Sequence, residues 1–341
     1  MQAFVIDEPG KFSITETYKK PTITVGDVLV QIKKVGFCGS DLNTFRGLNP
    51  LVSYPRIPGH EIAAEIVECG KNVPQNFQVG DKVLVLPYTT CASCSSCLNN
   101  KPNACKYNQT MGVQKDGGMT ELLAVPHEKL IGKINELSFS EIAMVEPLAV
   151  GFHAGARAVP QKGEKMLVFG CGLVGLGAIA RGYLCGADVI AVDIDDEKLE
   201  LAKQFGAKYA INSKSCDLHE EVMKLTDDHG PAVVVEAIGL NETFIAAVDL
   251  VSFSGRVVFV GYVKNPVEFE TKNFVMKELQ IMGSRNALAQ DFSDVLKAME
   301  NENFPIDALI SKDVPLSDAG EALAEWSDNP SKISKILVSF D

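Results

Sequence analysis

Residues 165–193 restrict the possible folds of this chain more than any other stretch. Met166-Leu-Val-Phe is an apolar strand that runs into Gly170-Cys-Gly172-Leu173-Val174-Gly175. A helical stretch follows to Cys185, and then a second apolar strand, Asp188-Val-Ile-Ala-Val-Asp193. Strand, G-x-G-x-x-G turn, helix, strand and closing acid make one βαβ unit that presents a helix N-terminus to a dinucleotide pyrophosphate. The first glycine permits the tight turn, the second lets the backbone approach the phosphates, and the third lets helix and strand pack closely. Asp193 closes the second strand, where a carboxylate accepts hydrogen bonds from ribose hydroxyls and repels a 2′-phosphate. With no Arg close behind it, this favours NAD over NADP. The plainer alternative is a glycine turn that holds no ligand.

The alternation continues with strands at 208–211, 232–237, 256–260 and 279–283, and helices near 216–226 and 241–251. Six apolar strands separated by helices predict a doubly wound parallel sheet. Before residue 125 the texture differs. Strands at 2–6, 28–35, 62–68, 82–86 and 121–125 are short, alternating and separated by Gly- and Pro-rich loops, so this part reads as β-rich. A length of 341 residues fits two domains. The fold class is α/β with a β-rich part.

A net charge of −12 argues against nonspecific nucleic-acid binding and against docking on an anionic membrane. The N-terminus has no basic region followed by an apolar core, which points to the cytoplasm. The apolar run 166–180 is too short to span a bilayer. Nine cysteines without a secretion signal suggest thiols and metal ligands rather than disulfides.

The stretch 36–61 carries Cys38, Ser40 and Asp41, then Pro58-Gly59-His60-Glu61. Cys, His and Glu are zinc ligand types, and three protein ligands with one open position characterise a catalytic zinc. The alternative is a buried Cys and a loop His that never meet. Loops are expected to carry this stretch. Downstream, Cys91, Cys94, Cys97 and Cys105 follow the pattern C-x2-C-x2-C-x7-C in a polar segment with little core of its own. Four thiolates so spaced can close a tetrahedron around a structural zinc that stabilises the segment. An iron–sulfur cluster is the rival, although the bacterial run ends Cys-Pro with a shorter final spacing.

Residues 138–160 read as a helix with a Ser138/Glu141 capping box and a kink at Pro147. Glu146 therefore sits in an apolar run. It is either a buried, hydrogen-bonded carboxylate or a further ligand or proton handler. The tail 287–341 holds two helices (290–299 and 316–327) and a strand (336–340), too little for its own core, so it is expected to pack back on the first domain. His127 and His153 read as packing or surface residues, and Trp326 as core.

With these residues in hand, the chain resembles the zinc-dependent medium-chain dehydrogenases over essentially its whole length. It looks most like the sorbitol, L-idonate and L-galactonate branch, through residues 53–61, 112–118, 145–148 and 283–287. The resemblance implies a GroES-like catalytic domain (1–150 and 286–341, with a structural zinc lobe at 91–105) interrupted by a Rossmann domain (151–285). It places the active site in the cleft between them. Cys38 and His60 match catalytic zinc ligands, and Glu61 and Glu146 match carboxylates that bind zinc directly, through water or in alternation. Asp41 matches the carboxylate that orients the zinc histidine, Ser40 the hydroxyl that hydrogen-bonds the reacting oxygen, and Arg285 an arginine near the substrate. Where many relatives carry a relay histidine, Asn43 stands, and an amide cannot titrate. The implied activity is reversible oxidation of a small-molecule secondary alcohol to a ketone with Zn2+ and NAD, on a sugar acid or polyol. The same chemistry on L-threonine, a butanediol or a hexitol phosphate is the alternative, and a thiol-rich NAD-binding redox sensor is a reading of another class. A homodimer or homotetramer through the Rossmann sheet edge is expected.

Overall fold

The structure is a computed structural model that describes residues 1–132 and 134–340. It divides into two compact units, Met1–Glu146 with Ile306–Asp341, and Pro147–Pro305. The first unit begins with an antiparallel pair, β1 (Ala3–Glu8) and β2 (Lys11–Thr15). It continues through β3 (Asp27–Phe37), α1 (Gly39–Phe45), β4 (Glu61–Cys69), β5 (Lys82–Val85), α2 (Ser95–Leu98), β6 (Leu122–Pro126) and β7 (Leu130–Ile131). Helix α3 (Phe139–Arg157) then leads out of it.

The second unit alternates strand and helix. Its elements are β8 (Lys165–Phe169), α4 (Leu173–Leu184), β9 (Asp188–Asp193), α5 (Asp196–Gln204), β10 (Tyr209–Asn212), α6 (Leu218–Leu225), β11 (Val233–Glu236), α7 (Asn241–Leu250), β12 (Arg256–Phe259), α8 (Lys272–Met276), β13 (Gln280–Gly283) and α9 (Ala289–Asn301). The six strands form one parallel sheet in the order β10-β9-β8-β11-β12-β13. Strand order reverses between β8 and β11, and ligands of such sheets bind at that switch point. The inner strands β8, β9 and β11 are almost continuously buried, as a sheet covered on both faces requires, whereas edge strand β13 is largely exposed.

The chain then returns to the first unit through β14 (Lys312–Pro315), α10 (Ala319–Asp328) and β15 (Ile336–Ser339). There a seven-stranded sheet runs β14-β15-β3-β4-β5-β7, with β6 on the remaining length of β3. Long β3 is its spine. Val28, Val30 and Ile32 are buried, and an irregularity in the β3–β4 register between Ile32 and Lys34 shifts the alternation so that Val35 and Phe37 are buried next. Trp326 lies in this unit's core.

Several sequence expectations change. The stretch after Cys38 is helix, not loop, so Ser40, Asp41 and Asn43 ride on α1, and Glu61 opens a strand. The 138–160 helix has its capping box, with Ser138 N–H donating to Glu141 (2.7 Å) and Glu141 N–H to Ser138 Oγ (3.2 Å). It runs on through Pro147 as one element. The return to the first unit begins at Ile306 rather than 286. Helix α9 stays with the second unit because His153 meets Asp291 (2.8 Å), Arg181 meets Asp294 (3.1 Å), and Phe304 stacks on Phe205 (4.9 Å). His153 is thus a packing residue with a buried acid partner. Among the described residues no helix is long and apolar enough to cross a membrane.

Candidate active site

Cys38 follows β3 directly and His60 precedes β4, so two neighbouring strands of one sheet deliver both side chains. Asp41 ties the two approaches together. Its fully buried carboxylate accepts the N–H of Cys38 (2.8 Å) and the N–H of Gly59 (3.4 Å). It acts on His60 through the backbone, and His60 Nδ1 has no hydrogen-bond partner among the described residues. Glu61 pairs in register with Gly36, and a Cβ on Gly36 would lie 1.8 Å from Glu61 Oε2. Only glycine at 36 leaves room for this carboxylate.

One donor atom each from Cys38, His60 and Glu61 lies within 4.8 Å of the other two. Burial alone would depress the His60 pKa, but Cys38, Asp41 and Glu146 outweigh it and hold the ring well above its ordinary value. Burial raises the Asp41 carboxyl, and burial together with the Glu61 charge raises that of Glu146. A pocket of one thiol and three buried carboxylates, where an imidazole titrates upward, is a pocket short of positive charge. The donor set, the orphaned imidazole nitrogen and this charge deficit all fit a divalent zinc.

Sequence reasoning missed a lysine in this pocket. Lys335 is 2 % exposed, and its Nζ donates to both oxygens of Glu61 (2.6 and 2.5 Å) and to the carbonyl of Phe37 (2.9 Å). Burial pulls its pKa down, but Glu61 and Cys38 outweigh that and raise it. The available signal was a lysine at the head of an apolar terminal strand, where a charge needs a buried partner.

Glu146 is 3 % exposed and belongs to the same pocket, but it is not among the three clustered donors. It accepts a hydrogen bond from the Tyr88 hydroxyl. Burial and then Glu146 push the Tyr88 phenol well above its ordinary pKa, so it stays a donor. Nothing in Pro87-Tyr88-Thr89 marked this role. Ser40 Oγ is buried with no partner among the described residues. An unsatisfied buried hydroxyl costs free energy unless a ligand completes it, so it suits a substrate oxygen.

The four cysteines of the lobe converge. Cys94 Sγ lies 3.6 Å from Cys97 Sγ and 3.9 Å from Cys105 Sγ, and Cys91 Sγ lies 4.0 Å from Cys97 Sγ. Zn–S bonds of about 2.3 Å give tetrahedral edges of about 3.8 Å, which these separations match. All four are free thiols, and a hydrogen bond from Ser93 helps lower the Cys91 pKa to about 6. The lobe fits a structural zinc.

In the second unit the three glycines divide as the turn requires. Gly170 has φ 91°, Gly172 has open space where a Cβ would be, and a Cβ on Gly175 would lie 1.7 Å from the Gly170 carbonyl. Helix α4, opening on Leu173 and Val174, has no side-chain cap at its N-terminus, so its first amides are left for an anion. Asp193 ends β9 and accepts the N–H groups of Cys171 (2.8 Å), Ile194 (2.7 Å) and Asp195 (3.2 Å), which fix its carboxylate beside the turn. Arg285 is exposed in this unit, two residues after β13.

Comparison with known proteins agrees with both halves. Residues 24–136 match the alcohol dehydrogenase GroES-like domain, and residues 174–301 match the zinc-binding dehydrogenase family. An uncharacterised zinc-type alcohol dehydrogenase-like protein of Haemophilus influenzae is 32% identical over 340 residues, covering 100% of this chain and 99% of that one. The chain belongs to the zinc-dependent medium-chain alcohol dehydrogenases. Another relative of this dehydrogenase is the L-galactonate-5-dehydrogenase of Escherichia coli, 32% identical over 314 residues and covering 92% of each chain. Among solved structures, the rspB alcohol dehydrogenase of Escherichia coli CFT073, complexed with NADH, superposes with a TM-score of 0.91 at 30% identity, covering 100% of this chain and 99% of that one.

Proposed function

We propose that this dehydrogenase oxidises a secondary alcohol of a sugar acid or polyol to a ketone, reversibly, with NAD as the hydride acceptor. The observation that carries the reading is the clustered Cys38, His60 and Glu61 donor set, with His60 and Glu61 buried, together with a Ser40 hydroxyl that has no partner among the described residues. Zinc bound there would supply Lewis acidity toward the alcohol oxygen, and bound NAD would take the hydride. Ser40 accepts the hydroxyl proton and passes it on. Asp41 holds the two ligand segments at fixed spacing. Lys335 holds Glu61 in place, its buried ammonium donating to both carboxylate oxygens. The proton cannot leave through Asn43, so Glu146 is the titratable group offered to the exit path. Asp193 selects NAD, and the four-cysteine lobe holds a second zinc in a structural role.

A sugar acid of the L-galactonate or L-idonate kind is the favoured substrate. Its support is the L-galactonate-5-dehydrogenase relative and a positive local field. Lys115 and Lys129 are half-buried, burial and their mutual repulsion lower the Lys115 pKa, and Lys129 Nζ donates to the Tyr88 carbonyl (2.6 Å). An anionic group relieves such a field. Arg285 is a candidate for pairing with the carboxylate.

The enzyme is proposed to be a cytoplasmic homodimer or homotetramer. Free thiols need a reducing compartment. Edge strand β13 and the neighbouring α8 expose Ile281, Val275 and Met276, which a second copy would cover.

Initial rates of reduced-nicotinamide formation test the activity, with NAD and separately NADP. The substrates are L-galactonate, L-idonate, D-gluconate, sorbitol, galactitol, L-threonine and 2,3-butanediol. A clear preference for one sugar acid with NAD supports the proposal. No turnover of any of them by zinc-loaded protein sinks it.

A further inference from the structure

The pocket holds two buried glutamates, Glu61 and Glu146, and each has a different tether. Glu61 is fixed by Lys335, whose Nζ bonds both of its oxygens, and it lies in the compact donor set. Glu146 lies outside that set, and its Oε1 accepts the Tyr88 hydroxyl. Both Tyr88 and Glu146 are buried, so little water is at hand to replace this bond.

We propose that Tyr88 is a positioning residue that holds Glu146 out of the resting metal-ligand set, and so reserves the remaining metal position for the substrate oxygen. The proposal rests on the reading of Cys38, His60 and Glu61 as a zinc site. A buried carboxylate stripped of this donor must find another partner, and a cation held by Cys38, His60 and Glu61 would offer one. Without the phenol, Glu146 moves in. The site then gains a fourth protein ligand and the substrate meets a closed position. Tyr88 touches neither substrate nor cofactor in this scheme and acts through Glu146. Its ring fills the same volume as phenylalanine, so Tyr88→Phe removes one hydroxyl and little packing.

The test uses the full-length, zinc-loaded enzyme and three variants, Y88F, E146Q and Y88F/E146Q. Zinc content comes first. Two zinc ions per wild-type chain are expected, and retention of the lobe zinc in each variant shows that the first unit has folded. Chelator-driven release of the second zinc should be about tenfold slower in Y88F than in wild type, since one charge-assisted hydrogen bond no longer competes for Glu146. Cobalt substituted at the same site should give a visible spectrum in Y88F altered toward higher coordination, and KM should rise more than kcat falls. In the E146Q background, Y88F should change none of these, because the group it positions is gone. Wild-type release kinetics with an unchanged cobalt spectrum in Y88F would overturn the proposal. So would a Y88F effect that persists undiminished in the E146Q background. A wild-type chain holding only the lobe zinc would instead refute the zinc-site reading itself, and this proposal with it.

Discussion

Lys335→Met should be among the most damaging single changes outside the ligands, and the damage should depend on metal. Lys335 is 2 % exposed and Glu61 is fully buried, and the ammonium bonds both carboxylate oxygens and the Phe37 carbonyl. Replacing the lysine by a methionine of similar length leaves a buried carboxylate and a buried carbonyl without their donor. Breaking a buried ion pair from one side costs about 3–5 kcal/mol. At about 2–4 °C per kcal/mol for a unit of this size, the metal-free variant should melt about 6–20 °C below the metal-free wild type. A cation at the Cys38 site would give Glu61 a second partner, so the gap should shrink in the zinc-loaded protein. The single tryptophan makes this readable, because Trp326 is buried in the core of the first unit and its fluorescence reports that unit. A double variant, K335M/E61Q, should recover much of the loss, since neutralising both partners removes the stranded charge. Equal melting of metal-free K335M and metal-free wild type would refute the reasoning, as would a K335M defect that zinc does not narrow.

Four further outcomes follow from the same geometry. Cys94→Ala should cost one of two zinc ions per chain, read by metal analysis, and lower the melting point of the first unit while leaving NADH binding intact. Gly175→Ala places a Cβ 1.7 Å from the Gly170 carbonyl, so it should destabilise the second unit by about 2–3 kcal/mol and abolish NADH binding. Gly172→Ala meets nothing within 4 Å, so stability should hold within about 0.5 kcal/mol while NADH affinity, followed by fluorescence titration, falls. Asp188 accepts from Lys165 (2.9 Å) and Lys208 (2.8 Å), and the Lys208 and Lys165 hydrogen bonds lower its pKa. A depressed carboxyl stabilises the fold above its unfolded value and loses that contribution as pH falls. D188N should therefore cost up to about 1 kcal/mol at pH 7, and urea titrations should show its gap from wild type closing below about pH 4.

The dinucleotide half was readable because its residues are local. The turn 170–175 and Asp193 lie within one continuous βαβ stretch, and each glycine's role follows from backbone sterics alone. The four cysteines were readable for the same reason. The candidate metal site was harder because it is assembled across the fold. Cys38, His60 and Glu61 come from the ends of paired strands, and the types of residue indicated the chemistry without indicating who holds each one. Lys335 lies 274 residues from Glu61, and only the β15–β3 pairing brings it back. Tyr88 sits in a loop with no period to read. Helix α1 was taken for loop because Gly39-Ser-Asp is turn-like by propensity. Asp41 decides otherwise by accepting the Cys38 N–H at the helix start. The return at Ile306, rather than 286, was hidden because α9 is amphipathic and its apolar face could have matched either unit until the His153–Asp291 pair was seen.

The most direct test of the account is turnover measured against zinc content as metal-free protein is reloaded. Activity with NAD on the preferred substrate should stay absent while the lobe fills and then rise in proportion to the second equivalent. Cys38→Ala should hold one zinc and remain inactive. Full turnover by the Cys38→Ala protein, or by a chain carrying one zinc or none, would contradict the account.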